Sequence, residues 1–132
     1  MNLFNSLSSA VASLKNDRIK VHFGLTGAAK ILFALRPLAL PPWDESIREK
    51  LIIRNKKLTY CEYIKHIQLL QQDLYEECSR YGLSENEFFI KIGKPKTTWM
   101  KLIDEYYWMR YTHGIEPPKS EIKFWFQLSN DL

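Results

Sequence analysis

Four residues near the start of the chain have the types and spacing that suit contact with a phosphate group. Gly24 and Gly27 flank a short segment that contains Thr26, and Lys30 follows about one helical turn later. A glycine-bearing turn that leads into a helix presents backbone N–H groups where the helix dipole is positive. The pattern therefore predicts a phosphate-binding turn, with Thr26 as helix cap, and contact that is independent of nucleotide sequence. A plain turn between two packed helices is the alternative.

A single carboxylate stands further along in the same part of the chain. Asp44 follows Pro42 and Trp43 at the start of another predicted helix. An aspartate at that position caps the helix by accepting a backbone hydrogen bond, and it is also a candidate catalytic carboxylate. Trp43 has two interpretations as well, since it could stack on a base or fill the core beside the prolines. Both interpretations stay open for each residue.

Positive charge is concentrated around these residues. Residues 1–57 contain ten Lys or Arg and four Asp or Glu, a net +6, whereas residues 58–132 contain nine and eleven, a net −2, which together give the +4 of the whole chain. This excess indicates a surface that faces a polyanion. The cations predicted to extend the phosphate contact are Arg48, Arg54, Lys56 and Lys57.

The elements that must position these residues are predicted to be helices. Apolar residues 3, 4, 7, 10, 11 and 14 have helical spacing, and residues 19–24 are interpreted as a connector because no partner strand is evident. Next come a helix that ends before Pro37 and a second helix that begins at Asp44. Thr59 with Glu62 forms a capping-box pattern, which predicts a long helix that ends near Gly82.

The remaining chain continues the helical pattern. Ser84 and Glu87 repeat the capping box, and a helix over "TTWMKLIDEYYWMRYTHG" is predicted to bury Trp99, Leu102, Ile103 and Tyr106. The segment "EIKFWFQL" is predicted to form a short terminal helix. We therefore predict one all-α domain over residues 1–132, a compact bundle of six or seven helices with a helix-hairpin-helix-like element at about 19–54 and C-terminal helices over 59–132.

Other combinations of reactive side chains do not suggest a conventional active site. Asp104, Tyr106 and Arg110 are interleaved with aromatic residues and are predicted to form, together with Trp43, a structural network between helices. The histidines and the two cysteines lack metal-ligand spacing, so neither a metal nor a cofactor is predicted. Cys61 and Cys78 are interpreted as free thiols in a cytoplasmic protein. No apolar run has the length of a membrane span, so no membrane partner is predicted.

The residues around Asp44 resemble the helix-hairpin-helix DNA glycosylase superfamily. The resemblance covers about residues 22–54 and rests on Gly27, the helix through Leu35, the loop "RPLALPPW" and Asp44. It implies DNA repair as the context and Asp44 as the catalytic carboxylate. Ala29 occupies the place of the lysine of bifunctional members, so a monofunctional hydrolase is implied. The whole chain resembles a related family of uncharacterised bacterial proteins with similar "GAAK…WD" and "LIDEY…RYT" blocks.

Three functions remain from these observations. The first is sequence-independent DNA binding through the phosphate backbone. The second is a protein-interaction module, or a homo-oligomer, that uses the aromatic C-terminal region and does not bind nucleic acid. The third is a monofunctional DNA glycosylase-like enzyme that uses Asp44. We expect DNA binding, and we lean against an enzyme.

Overall fold

The protein is described by a computed structural model that covers residues 2–15, 19–53 and 55–116. The helices among these residues are α1 (Asn2–Ser9), α2 (Gly24–Leu35), α3 (Glu45–Lys50), α4 (Tyr60–Arg80), α5 (Glu85–Lys91) and α6 (Trp99–Tyr107), and a π-helical segment (Trp108–Thr112) continues α6. The strands are β1 (Val11–Lys15), β2 (Ile19–His22), β3 (Ile52–Ile53) and β4 (Lys56–Lys57).

Local signals define the helices after residue 58. Thr59 accepts a hydrogen bond from the Glu62 amide, and Glu62 accepts one from the Thr59 amide, so the predicted capping box begins α4. Ser84 and Glu87 form the same arrangement at α5. Both capping boxes are confirmed. Each is predictable from sequence because it needs only a side chain and an amide three residues apart.

Two short antiparallel hairpins were not predicted. β1 pairs with β2, in a register that places Val11 opposite His22 and Lys15 opposite Ile19. The first helix therefore ends at Ser9, and the prediction that residues 19–24 have no partner strand is wrong. β3 pairs with β4 through a turn at which Asn55 has a φ of 62°. Lys56 and Lys57 thus lie in a strand of this hairpin.

The larger of the two core clusters contains a run of aromatic rings. Phe4 of α1 stacks on Tyr60 of α4 with ring centroids 4.2 Å apart, and Trp43 lies 5.4 Å from Tyr60 and 5.9 Å from Tyr63. Tyr107 of α6 lies 6.5 Å from Tyr63. Stacked and tilted pairs at these distances are favourable beyond their buried area. The rings therefore join α1, α4 and α6 around the loop before α3.

A second, smaller cluster joins α4, α5 and α6. Phe89 and Cys78 are buried there against Trp99, whose ring centroid lies 4.8 Å from that of Phe89. This cluster packs α5 against α4. It therefore provides positions for matched control substitutions.

The prediction of a mostly helical protein is confirmed, but the chain is not purely α-helical. Strand β2 precedes α2 where a helix-hairpin-helix element needs a helix, so that element is not confirmed. In α6 the buried positions include Ile103 and Tyr107, whereas Tyr106 is exposed, contrary to prediction. The predicted terminal helix at 121–128 lies outside the described residues. Within the described residues, none of the helices has the length and apolar character of a membrane span.

Candidate nucleic-acid interface

The predicted phosphate-binding turn has a different geometry in the structure. Gly24 begins α2 with a φ of 67°, and Gly27 is already the fourth residue of that helix. A tight turn flanked by the two glycines is therefore absent, because the intervening residues belong to the first helical turn. The amide of Phe23 donates to the Ala10 carbonyl, and a Cβ on Gly27 would lie 3.2 Å from that of Phe23. Close packing thus explains Gly27.

Thr26 does not cap α2, contrary to prediction. No side chain accepts a capping hydrogen bond at this helix start within the described part of the chain. The Thr26 hydroxyl accepts a hydrogen bond from Arg48 Nη1 at 3.4 Å, and the Arg48 guanidinium lies 5.5 Å from the centroid of the Trp43 ring. This contact connects residues 22 positions apart in sequence. It places the start of α2 beside α3.

The predicted cations differ in how they are paired. Lys30 is exposed on α2, one turn after Thr26. On the β3–β4 hairpin, Lys56 pairs with Glu62 and Lys57 pairs with Glu49. These carboxylates partly neutralise the two lysines, so Lys30 and Arg48 are the more available of the predicted cations. Arg54 lies outside the described residues.

The Asp44 carboxylate forms the cap of α3. Its Oδ1 accepts a hydrogen bond from the Ile47 amide at 2.8 Å, as predicted for a helix cap, and Oδ2 lies 3.5 Å from the hydroxyl of Thr112. Asp44 therefore connects the start of α3 to the π-helical segment. Both carboxylate oxygens have a partner, and this accounts for an aspartate at the position without a chemical step.

The Asp104 carboxyl lies close enough to Asp44 for the two charges to interact. Asp104 of α6 pairs with Lys101 at 2.9 Å. Burial raises the pKa of the Asp104 carboxyl above its usual range, the Lys101 ammonium lowers it, and the Asp44 carboxylate raises it again. The proximity is tertiary, since sequence places these aspartates on different helices. It produces two carboxyl groups of unlike environment near one end of the molecule.

A buried hydroxyl lies close to these carboxyl groups. The Tyr63 side chain is 0% exposed, and no described residue forms a hydrogen bond with its Oη. Burial, and then the Asp104 carboxylate, raise the pKa of Tyr63. By contrast, Tyr60 Oη donates to the Pro41 carbonyl at 2.9 Å, and Tyr107 Oη lies 2.6 Å from His66 Nε2. Tyr63 is thus distinguished from two comparable buried tyrosines.

The residues predicted as a structural network do not form one cluster. Arg110 donates to Tyr106 Oη at 3.1 Å, a contact between residues four apart in sequence. Asp104 is instead paired with Lys101, and Trp43 lies in the aromatic core. Among the residues described, no group of three or more His, Cys, Asp or Glu could hold a metal ion. Cys61 and Cys78 are free thiols.

Comparison with known proteins found no matching family model, no similar curated protein and no similar solved structure. Functional inference therefore depends on the chemistry of these residues.

Proposed function

We propose that the chain binds DNA without sequence preference, through the phosphate backbone, on a surface formed by α2 and α3. The observation that carries this proposal is the contact between Thr26 and Arg48 at 3.4 Å. It joins the first turn of α2 to α3, so that Lys30 and Arg48 belong to one continuous surface. Binding of phosphate without reading bases needs only cationic and polar side chains of this kind.

Charge and helix geometry support the same surface. The start of α2 has backbone N–H groups that precede the helical hydrogen-bond pattern, and no acidic residue lies in its first turn. Arg48 is held by Thr26 and by the face of the Trp43 ring, so its guanidinium loses less conformational freedom when it meets a phosphate. These features favour a phosphate ligand near Thr26 and Lys30.

A comparison of two lysine substitutions tests the proposal. Lys30→Gln and Lys91→Gln each remove one exposed lysine from a helix, but Lys91 is on α5, which packs against α4. At about 0.1 M salt one phosphate contact contributes about eightfold to the association constant, from a slope of about 0.9 per contact. We expect Lys30→Gln to weaken binding of a labelled duplex by about that factor, measured by fluorescence anisotropy, and Lys91→Gln to leave it nearly unchanged.

Several results would contradict the proposal. Equal effects of the two substitutions would mean that only net charge matters. Failure of the wild-type protein to bind duplexes of unrelated sequence at low salt would remove DNA as a ligand. The protein-interaction alternative would then be favoured if sedimentation changed with protein concentration.

The enzyme alternative has its own test. An assay for abasic-site formation on base-damaged DNA compares the wild-type protein with Asp44→Asn, which retains an acceptor for the cap of α3. Activity in the wild type that is lost in Asp44→Asn would favour a glycosylase. Absence of activity in both, or equal activity in both, would restrict Asp44 to capping. Because both of its oxygens already have partners, we expect the capping outcome.

A further inference from the structure

The end of α6 and the π-helical segment after it present aromatic side chains to solvent. Tyr106 is 39% exposed and Trp108 is 45% exposed, although their neighbour Tyr107 is buried. The His113 ring packs edge-on against Trp108, with centroids 4.1 Å apart. π-Helical turns are rare and occur frequently at functional sites. Two rings held on the outside of this segment are therefore candidates for contact with a ligand.

One of the exposed rings, Tyr106, lies beside a cationic side chain. Arg110 donates to Tyr106 Oη at 3.1 Å, and its guanidinium lies 5.6 Å from the centroid of the Tyr111 ring. Arg110 also pairs with Glu116 at 3.4 Å, and nearby Glu105 pairs with Lys94. The acidic residues around the rings are thus matched by cations, so they do not give the segment an excess of negative charge.

The π-helical segment that carries Trp108 lies against α3 of the proposed DNA-binding surface. Lys50 of α3 donates to the Tyr111 carbonyl, and the hydroxyl of Thr112 lies 3.5 Å from Asp44 Oδ2. The π-helical segment therefore packs directly on α3, which also carries Arg48. The segment with the exposed rings is therefore adjacent to the helix that carries Arg48.

We propose that Trp108 and Tyr106 stack on unpaired nucleobases, so that the preferred ligand is DNA that contains a single-stranded segment. In an intact duplex each base is covered by its neighbours, whereas an unpaired base offers its face to a protein ring. Stacking on aromatic side chains tolerates any base, and it combines with cationic contacts to the backbone. This proposal rests on the proposed DNA binding and names the form of DNA that the surface selects.

Three labelled ligands test it by fluorescence anisotropy: a blunt duplex of about 20 base pairs, the same duplex with a single-stranded thymidine extension, and a thymidine oligonucleotide. We expect the two ligands with unpaired bases to bind at least about fivefold more tightly than the blunt duplex. Trp108→Ala should remove at least about fivefold of that affinity and leave blunt-duplex binding unchanged. Trp108→Phe keeps a ring and should retain most of it.

Tyr75→Ala is the matched control, because Tyr75 is a 54% exposed tyrosine on α4. This substitution should not change the preference for ligands with unpaired bases. Circular dichroism of each variant establishes that it is folded, and Tyr106→Ala, which removes the other exposed ring, gives the result if Trp108→Ala fails to fold. Equal affinity for all three ligands, with no effect at Trp108, overturns the stacking proposal while DNA binding stands. Absence of binding to every ligand overturns both proposals.

Discussion

Loss of the Tyr63 hydroxyl should leave the protein as stable as before or more stable, unlike the same change at two other buried tyrosines. Tyr63 is completely buried, and its hydroxyl has no hydrogen-bond partner among the described residues. A buried hydroxyl without a partner costs about 1–3 kcal/mol on the mutational scale. Tyr63→Phe removes that cost and keeps the ring contact with Trp43 at 5.9 Å between centroids.

The same substitution at two control tyrosines should lower the stability, because their hydroxyls form hydrogen bonds. Tyr60→Phe removes the hydrogen bond to the Pro41 carbonyl, and Tyr107→Phe removes the contact with His66 Nε2. Each bond contributes about 1 kcal/mol, and the partner that remains buried adds to the loss. For a chain of 132 residues, 1 kcal/mol corresponds to a change in Tm of about 4 °C. We expect Tm to rise by about that amount in Tyr63→Phe and to fall by at least as much in the controls.

Differential scanning calorimetry and urea unfolding measure the three variants under one condition. The m-value should stay constant, which would indicate that the unfolded reference is unchanged. A loss of 1 kcal/mol or more in Tyr63→Phe, comparable to the controls, would refute the reasoning. It would mean that the Tyr63 hydroxyl makes a favourable interaction with its surroundings, including the nearby carboxyl of Asp104.

Further predictions concern α3, α4 and α2. Asp44→Ala should cost about 1 kcal/mol and Asp44→Asn less, because only asparagine keeps an acceptor for the Ile47 amide; equal losses in urea unfolding would exclude capping as the cause. Burial lowers the pKa of His66, so the unfolded chain binds the proton more tightly and stability should fall as the pH drops below about 6.5. In unfolding experiments at several pH values, the free energy of unfolding of His66→Gln should decrease less than that of the wild type as the pH drops. An equal decrease would mean that other groups cause the pH dependence. Gly24 has a φ of 67°, so Gly24→Ala should lower the free energy of unfolding by roughly 1 kcal/mol; an unchanged thermal midpoint would contradict this.

The features that the sequence predicted are those set by local interactions. Thr59 with Glu62, and Ser84 with Glu87, form capping boxes as expected because the partners are three residues apart. Asp44 likewise caps α3 with a neighbouring amide. Each of these contacts depends on the residue types at two close positions, so no knowledge of the tertiary structure is needed.

The missed features have tertiary or ambiguous causes. Val11 continues the helical spacing of α1, and only pairing with residues 19–22 makes it a strand residue. The β3–β4 hairpin depends on Asn55 in a left-handed conformation, which asparagine adopts more readily than most residues. Tyr106 and Tyr107 are adjacent, so a small error in the predicted orientation of the buried face of α6 made Tyr106 the buried ring in place of Tyr107. The asparagine in "IIRNKK" is a residue that favours turns, and this is the sequence signal for the second hairpin.

The candidate site illustrates the same limit. Lys30 and Arg48 were predicted as cations of one surface, but the contact that brings their helices together, between Thr26 and Arg48, spans 22 positions and has no sequence signature. The approach of Asp104 to Asp44 is also a consequence of how the π-helical segment after α6 packs on α3. Local patterns identified the individual side chains, and packing determined which of them meet.

The salt dependence of duplex binding tests the central claim most directly. The association constant of the wild-type protein for a duplex is measured at several salt concentrations, with a second duplex of unrelated sequence. Contacts by Lys30 and Arg48 predict a linear decrease of log K against log salt with a slope of about −2, equal for both duplexes. Lys30→Gln should reduce the steepness by about 1. A slope near zero, or measurable binding of only one of the duplexes, would contradict sequence-independent binding through the phosphate backbone.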